Sequence, residues 1–165
     1  MSYLRFAAMI ATSTVVMYGL MYLNTYQFNH VFYSQTRLWM ALLMGAVMAV
    51  IMLGFMWSMY KRQAVNLAII AGAIAVFAGS LFLVRSQALV GDVDYMRAMI
   101  PHHSIAVLTS TNANIRDPRV RELADEIIAA QVREIDEMKS LIAELEANPP
   151  PANAPLLAPE NPSEP

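Results

Sequence analysis

The 165-residue chain contains no cysteine, which excludes a disulfide scaffold and any thiolate metal site, yet suits an oxidising compartment. Charge is scarce too, at 15% of residues, and no acidic side chain occurs before Asp92. Residues 1–91 carry only Arg5, Arg37, Lys61, Arg62 and Arg85, whereas all 13 Asp and Glu lie from Asp92 onward beside six bases. The formal net charge of -2 therefore hides a basic first part and a strongly acidic second one. That acidity disfavours nucleic acid as a partner and suits cations. Glu-x-x-His, which a di-iron oxidase on a helical bundle requires, is also missing, and the chain is not expected to be an enzyme.

What is present is apolar: 57% of residues are hydrophobic and the mean hydropathy is +0.42. Three uncharged stretches, about 6–23, 38–60 and 64–84, each approach the ~20 residues a helix needs to cross a bilayer core. One could be a buried helix of a soluble protein, but three leave too little polar surface to dissolve them, so residues 1–85 read as a three-span membrane domain. The first stretch could be a cleaved signal peptide; Asn24-Thr25-Tyr26-Gln27 follows it without a small-x-small cleavage site, which favours retention. Lys61 and Arg62 form the densest basic spot and are expected on the cytoplasmic side, although Arg37 and Arg85 then lie opposite. Everything after the third span is then extracytoplasmic, on the periplasmic face of an inner (plasma) membrane. Tyr22, Tyr26, Tyr33, Trp39, Trp57 and Tyr60 fall near span ends, where amphipathic rings meet membrane lipid headgroups.

Residues 86–148 read as a helical hairpin, with helices expected over Gly91–Thr111 and Pro118–Ala147. Asp117-Pro118 is a strong helix start, an acceptor at the N-cap followed by proline at the first position. Val120, Ala124, Ile127, Gln131, Glu134, Met138, Leu141 and Leu145 recur at steps of four and three, a packing seam interrupted by Gln131 and Glu134. Two helices alone bury little, so self-association into a four-helix bundle is the expected remedy and a homo-oligomer the expected state. Seven of the nine prolines fall in 149–165, read as a disordered tail.

The segment from Asp92 to His103 holds two of the three histidines together with Met96 and Met99. At 100° per residue Met96, Met99 and His103 share a face, while His102 stands three past Met99 and ~100° from His103, so one histidine is expected to bind metal and the other to serve a second site, a neighbouring chain or a hydrogen bond. Pro101 frees the carbonyl of Arg97 and should kink the helix or restart it. Thioether with imidazole suits soft ions, above all Cu(I), whereas Cu(II) prefers imidazole and carboxylate. These residues could instead be ordinary packing. In the second span Met40, Met44, Met48, Met52 and Met56 recur every four residues, with Met59 three further on. Each step overshoots a turn by ~40°, so the series winds around the helix rather than forming a straight ladder. It is either flexible apolar filler or a chain of thioether sites for Cu(I), with His30 at the outer mouth.

The string Tyr95-Met96-x-x-Met99-Ile100-Pro101-His102-His103-x-x-Ala106, followed by Asp117-Pro118, Leu123-Ala124, Ile127-Ile128, Gln131, Glu134 and Met138, resembles the helical domains of domain-of-unknown-function family 305. Upstream, Met21-Tyr22-Leu23-Asn24-Thr25, His30, Ser34, Thr36-Arg37 and the methionine-rich second span are similar to its membrane-anchored members, so the likeness runs from about Met17 to Leu145. The resemblance implies a ferritin-like all-α fold and binding of copper, and of silver as its analogue, in periplasmic buffering, handover or tolerance. The motif carries over Met96, Met99, His102, His103, Gln131, Glu134 and Met138 as metal-site residues, with Asp94 or Asp92 beside them. Two departures stand out: Thr109 occupies a position where many members have methionine, and the domain is a bare hairpin. The rival readings without metal are a membrane-tethered dimerisation scaffold and a phosphotransfer-like module of a sensor kinase. No nucleotide-binding domain follows in this chain to serve the latter.

Overall fold

The computed structural model describes residues 2–151 and 153–157. The fold is all-α: among the described residues five α-helices and two short 3-10 turns occur, and no strand. Helices α1 (Tyr3–Leu20), α2 (Gln35–Phe55) and α3 (Gln63–Ser86) are long and apolar enough to cross a membrane. Helices α4 (Asp92–Asn112) and α5 (Pro118–Ala147) follow as a hairpin. Part of the proline-rich tail, residue 152 and residues 158–165, lies outside the described residues.

Helix α2 packs against both α1 and α3. Small residues set the spacing: Ala41, Gly45, Ala46 and Ala49 are the buried side of α2, with Leu53. At the crossing, a Cβ on Gly45 would collide with Thr14 of α1, whose hydroxyl donates to the Ile10 carbonyl at 2.9 Å. Only glycine permits that approach, as small residues do between helices in lipid. Toward Lys61 a denser cluster forms from Phe6, Ala49, Leu53 and Tyr60.

The second apolar stretch, expected as one span over 38–60, starts earlier and ends sooner. Ser34 caps α2 by accepting from the Arg37 N–H at 3.3 Å, so the helix begins at Gln35. At the other end the chain leaves α2 after Phe55 through a 3-10 turn, Trp57–Met59. Tyr60 must turn back inside, where it is buried against the rings of Tyr3 and Phe6 at 4.9 and 5.6 Å, and a continuing helix would carry it away. Asn66 closes the turn: its amide donates to the Tyr60 carbonyl at 2.9 Å and its Oδ1 accepts from the Tyr3 hydroxyl at 2.9 Å.

In the hairpin, Asp117 accepts from the Arg119 N–H at 2.9 Å and Pro118 follows at the first helical position. Pro101 neither ends nor restarts α4, which runs through it as one helix. The buried positions of α5 are Ala124, Ile135 and Ile142, while Val120 and Leu141 are exposed. The seam therefore runs through Ala124, Ile128, Gln131, Ile135, Met138, Ile142 and Leu145, one residue out of phase with the expected one at every second step. That phase puts Ile135 in the core with Met96, Ile100 and Ile142 and leaves Glu134 at its edge. Each such aliphatic side chain stabilises the fold by roughly 1.5–3 kcal/mol when fully buried.

The hairpin has a third wall. The segment between α1 and α2 folds against it, with Phe32 packed on the core of Met96, Ile100, Ile135 and Ile142. His30 and Ser104 are both buried, and His30 Nδ1 lies 2.9 Å from the Ser104 hydroxyl, which also accepts from the Tyr26 N–H at 2.7 Å. Part of the cover expected from a second copy is thus supplied within the chain.

Candidate metal site in the hairpin

One face of α4 presents Asp92, Met96, Met99 and His103 at steps of four, three and four, and the facing side of α5 presents Glu134, Met138, Leu141 and Leu145 at the same steps. Together with Tyr95 and Glu137 these residues line a cavity of about 420 Å³ between the two helices. Because the helices are antiparallel, His103 meets Glu134 at one end while Asp92 approaches Leu145 at the other. The lining includes three thioethers, one imidazole and three carboxylates, and none of the lining residues is Lys or Arg.

His103 is held from both sides. Its Nδ1 lies 3.0 Å from the Met99 carbonyl oxygen and its Nε2 lies 2.8 Å from Glu134 Oε2. The Met99 carbonyl and the Glu134 carboxylate both only accept, so a neutral ring donates to one of them and a doubly protonated ring to both. A hydrogen bond or ion pair of His103 with Glu134 accounts for the contact, and either nitrogen left without a proton can ligate a metal ion.

Of the eight residues singled out in the sequence, the structure brings Met96, Met99, His103, Glu134 and Met138 together in this cavity. His102, Asp94 and Gln131 do not line it. His102 is one helical step from His103, their rings 6.2 Å apart and inclined by 66°, and it faces a second cavity beside α2. Asp94 lies two residues before Met96, ~200° around α4, so Asp92 takes the position next to the methionines. Gln131 sits half-buried in the shifted seam. Glu137 went unread in the sequence, although its place three residues after Glu134 would have marked it. Among the described residues no three His, Asp or Glu are grouped so as to hold a metal ion by themselves.

The methionine series of α2 forms no ladder: Met44 and Met59 are exposed and Met40, Met48, Met52 and Met56 are half-buried. A cavity of about 660 Å³ opens between α1, α2 and α3, lined by Phe6, Ile10, Ala46, Ile69 and other apolar or small residues, but by none of those six methionines.

The hairpin is where this chain meets known sequences. Residues 92–163 match the family model described as Domain of unknown function (DUF305). That match covers somewhat less than half of the chain. "Uncharacterized protein L153" of Acanthamoeba polyphaga mimivirus is 41% identical over 66 residues, covering 39% of this chain and 43% of that protein. The match thus spans less than half of the relative's length. No solved structure matches the chain. The DUF305 domain here consists of α4, α5 and the residues that follow them, preceded by three apolar helices.

Proposed function

We propose that the protein is a membrane-anchored binder of copper, with silver as its analogue, in which α1–α3 span an inner membrane and the DUF305 hairpin buffers or hands over the ion on the extracytoplasmic side. The observation that carries this reading is the cavity that Met96, Met99 and Met138 line together with His103 and Glu134, the last two 2.8 Å apart. Three soft thioethers beside one imidazole favour Cu(I) or Ag(I) over harder ions. With Nδ1 donating to the Met99 carbonyl 3.0 Å away, Nε2 would be the ligating nitrogen, the usual part of a backbone carbonyl behind a metal-bound histidine. The ion is cargo and no catalysis is assigned to it.

The test is titration of the purified full-length protein with Cu(I) and Ag(I) against a competing chelator. His103→Ala should weaken binding by at least about tenfold, as should Met96, Met99 and Met138 changed together to Leu, because each removes a ligand type from the cavity. His102→Ala should leave affinity unchanged. Binding should also release protons and weaken at low pH, since the ion takes the place of the proton at Nε2. Wild-type affinity in both His103→Ala and the triple methionine variant would end the copper reading.

Val120, Leu123 and Val132 are exposed apolar residues on α5 and favour the second reading, a hairpin that assembles with another copy. That assembly and metal binding are compatible.

A further inference from the structure

Arg37 stands apart from the other charges in the molecule. It is half-buried near the start of α2, it donates through one guanidinium nitrogen to the Met21 carbonyl at 2.6 Å, and its plane lies over the Tyr22 ring at 4.5 Å from the centroid. No acidic residue precedes Asp92 in the sequence, and the ion pairs among the described residues all involve bases from Arg97 onward. A guanidinium has five N–H donors, and a partly desolvated one without a counter-ion is costly.

Arg37 also lines a cavity of about 230 Å³ at the rim of the apolar helices, where α2 begins and α3 ends. Thr36 of α2, Gln87 just after α3, and Tyr95 and His102 of α4 line it too. These side chains bring hydroxyl, amide and imidazole donors to the same cavity as one cation; Ser34, Ala98 and Met99 complete the lining, and no carboxylate is part of it. His102 is exposed and does not line the thioether cavity, so its imidazole is available here.

We propose that Arg37, Thr36, Gln87, Tyr95 and His102 bind a phosphate-bearing anion, the guanidinium providing charge-assisted hydrogen bonds and the other groups completing its shell. If α1–α3 cross a bilayer, the site lies at headgroup level, and a phospholipid phosphate is its nearest source; a free phosphate has the same chemistry. Bound there, the anion joins α2 to α4 and fixes the hairpin against the membrane surface. This site adjoins the thioether cavity through Tyr95 and Met99, which line both, but the proposal does not rest on copper binding.

Two measurements on the full-length protein test it. In one, detergent-solubilised protein is exchanged with phosphatidylglycerol or with a diacylglycerol that lacks phosphate, and retained lipid is read by native mass spectrometry. In the other, inorganic phosphate is titrated while the fluorescence of Trp39, two residues from Arg37, is followed. Retention of phosphatidylglycerol but not diacylglycerol, falling about tenfold in Arg37→Gln and several-fold in His102→Gln, supports a lipid phosphate, as loss of a charge-assisted bond should cost that much. A saturable response to inorganic phosphate without lipid retention supports a soluble source. Because Arg37 also ties Met21 and Tyr22, Arg37→Gln could unfold; His102→Gln, at an exposed position, then decides. Equal retention of both lipids together with no response to phosphate, or wild-type binding in His102→Gln and in a folded Arg37→Gln, overturns the proposal.

Discussion

The two halves of the molecule invert each other. In α1–α3 the buried positions apart from Phe6 and Leu53 are small or polar, among them Gly45, Ala46, Asn66 and Ser80, while Phe55 and Phe82 are 88% and 65% exposed. In the hairpin Ile100 and Ile135 are 0% and 1% exposed, and the charges face outward. The same alphabet serves opposite solvents: where the surroundings are as apolar as leucine, close approach of backbones organises the helices, and where they are water, burial of aliphatic side chains does. A change of volume should therefore act in opposite directions in the two halves.

The largest effect is expected from removing volume in the hairpin. Ile135→Ala should cost the hairpin about 2–5 kcal/mol, the range for truncating a buried aliphatic side chain. Denaturant titration followed by amide exchange should show the loss in α4 and α5, with protection in α1–α3 unchanged. An equal loss in all five helices would mean that the halves unfold as one unit.

Adding volume is the matching test in the apolar half. Gly45→Val should separate α1 from α2 and destabilise that pair by about 1–3 kcal/mol, as overpacking does. Gly79→Ala, where a Cβ meets nothing within 4 Å, is its control and should be neutral or slightly stabilising. Detergent-resistance of the purified variants distinguishes them; similar behaviour of both would break the comparison.

The smallest effect lies at the joint between the halves. Burial keeps the His30 imidazole below its ordinary histidine range, nearby Lys139 pushes it further down, and Asp136 opposes them. A depressed value favours the neutral ring in the docked state, so that contribution is complete above the ordinary value of ~6.5 and is lost as pH falls below it. The expected change is about 1 kcal/mol, that of one hydrogen bond. The protection factor of the Tyr26 amide, exchange taken relative to the intrinsic base-catalysed rate at each pH, should fall toward pH 5–6 in the wild type, whereas in His30→Gln it should not change with pH. Pushed the other way, a protection factor that rises on acidification would mean that His30 is docked as the cation.

The two halves also differed in how much of them could be read in the sequence. Unbroken apolar runs identify α1–α3 as helices, but a run without alternation carries no face, so nothing in it announces that Gly45 meets Thr14. The hairpin has periodicity, and Met96, Met99 and His103 fall together as their spacing requires. Its seam is legible only up to a choice of phase. Ala124, Gln131, Met138 and Leu145 belong to both phases, and Ile127 with Ile128, or Leu141 with Ile142, are equally apolar. Glu134 beside Ile135 is the one pair that distinguishes them, and burying isoleucine instead of a carboxylate is what moves Glu134 onto His103. The docking of Phe32 and His30 could not be read at all, because it joins residues about 70 apart through a contact that leaves no periodic mark.

Phe32 makes the edge of the DUF305 match differ from the edge of what folds together. The matched residues begin at position 92, yet a side chain 60 residues earlier completes their core. A polypeptide cut at residue 86 would leave that space to water and expose Ser104 together with the side of Ile100 that Phe32 covers. Relatives that carry the domain behind a different leader must plug the same opening with another residue, or close it with a second subunit. What replaces Phe32 in such a chain is therefore a readable marker of how its hairpin is assembled.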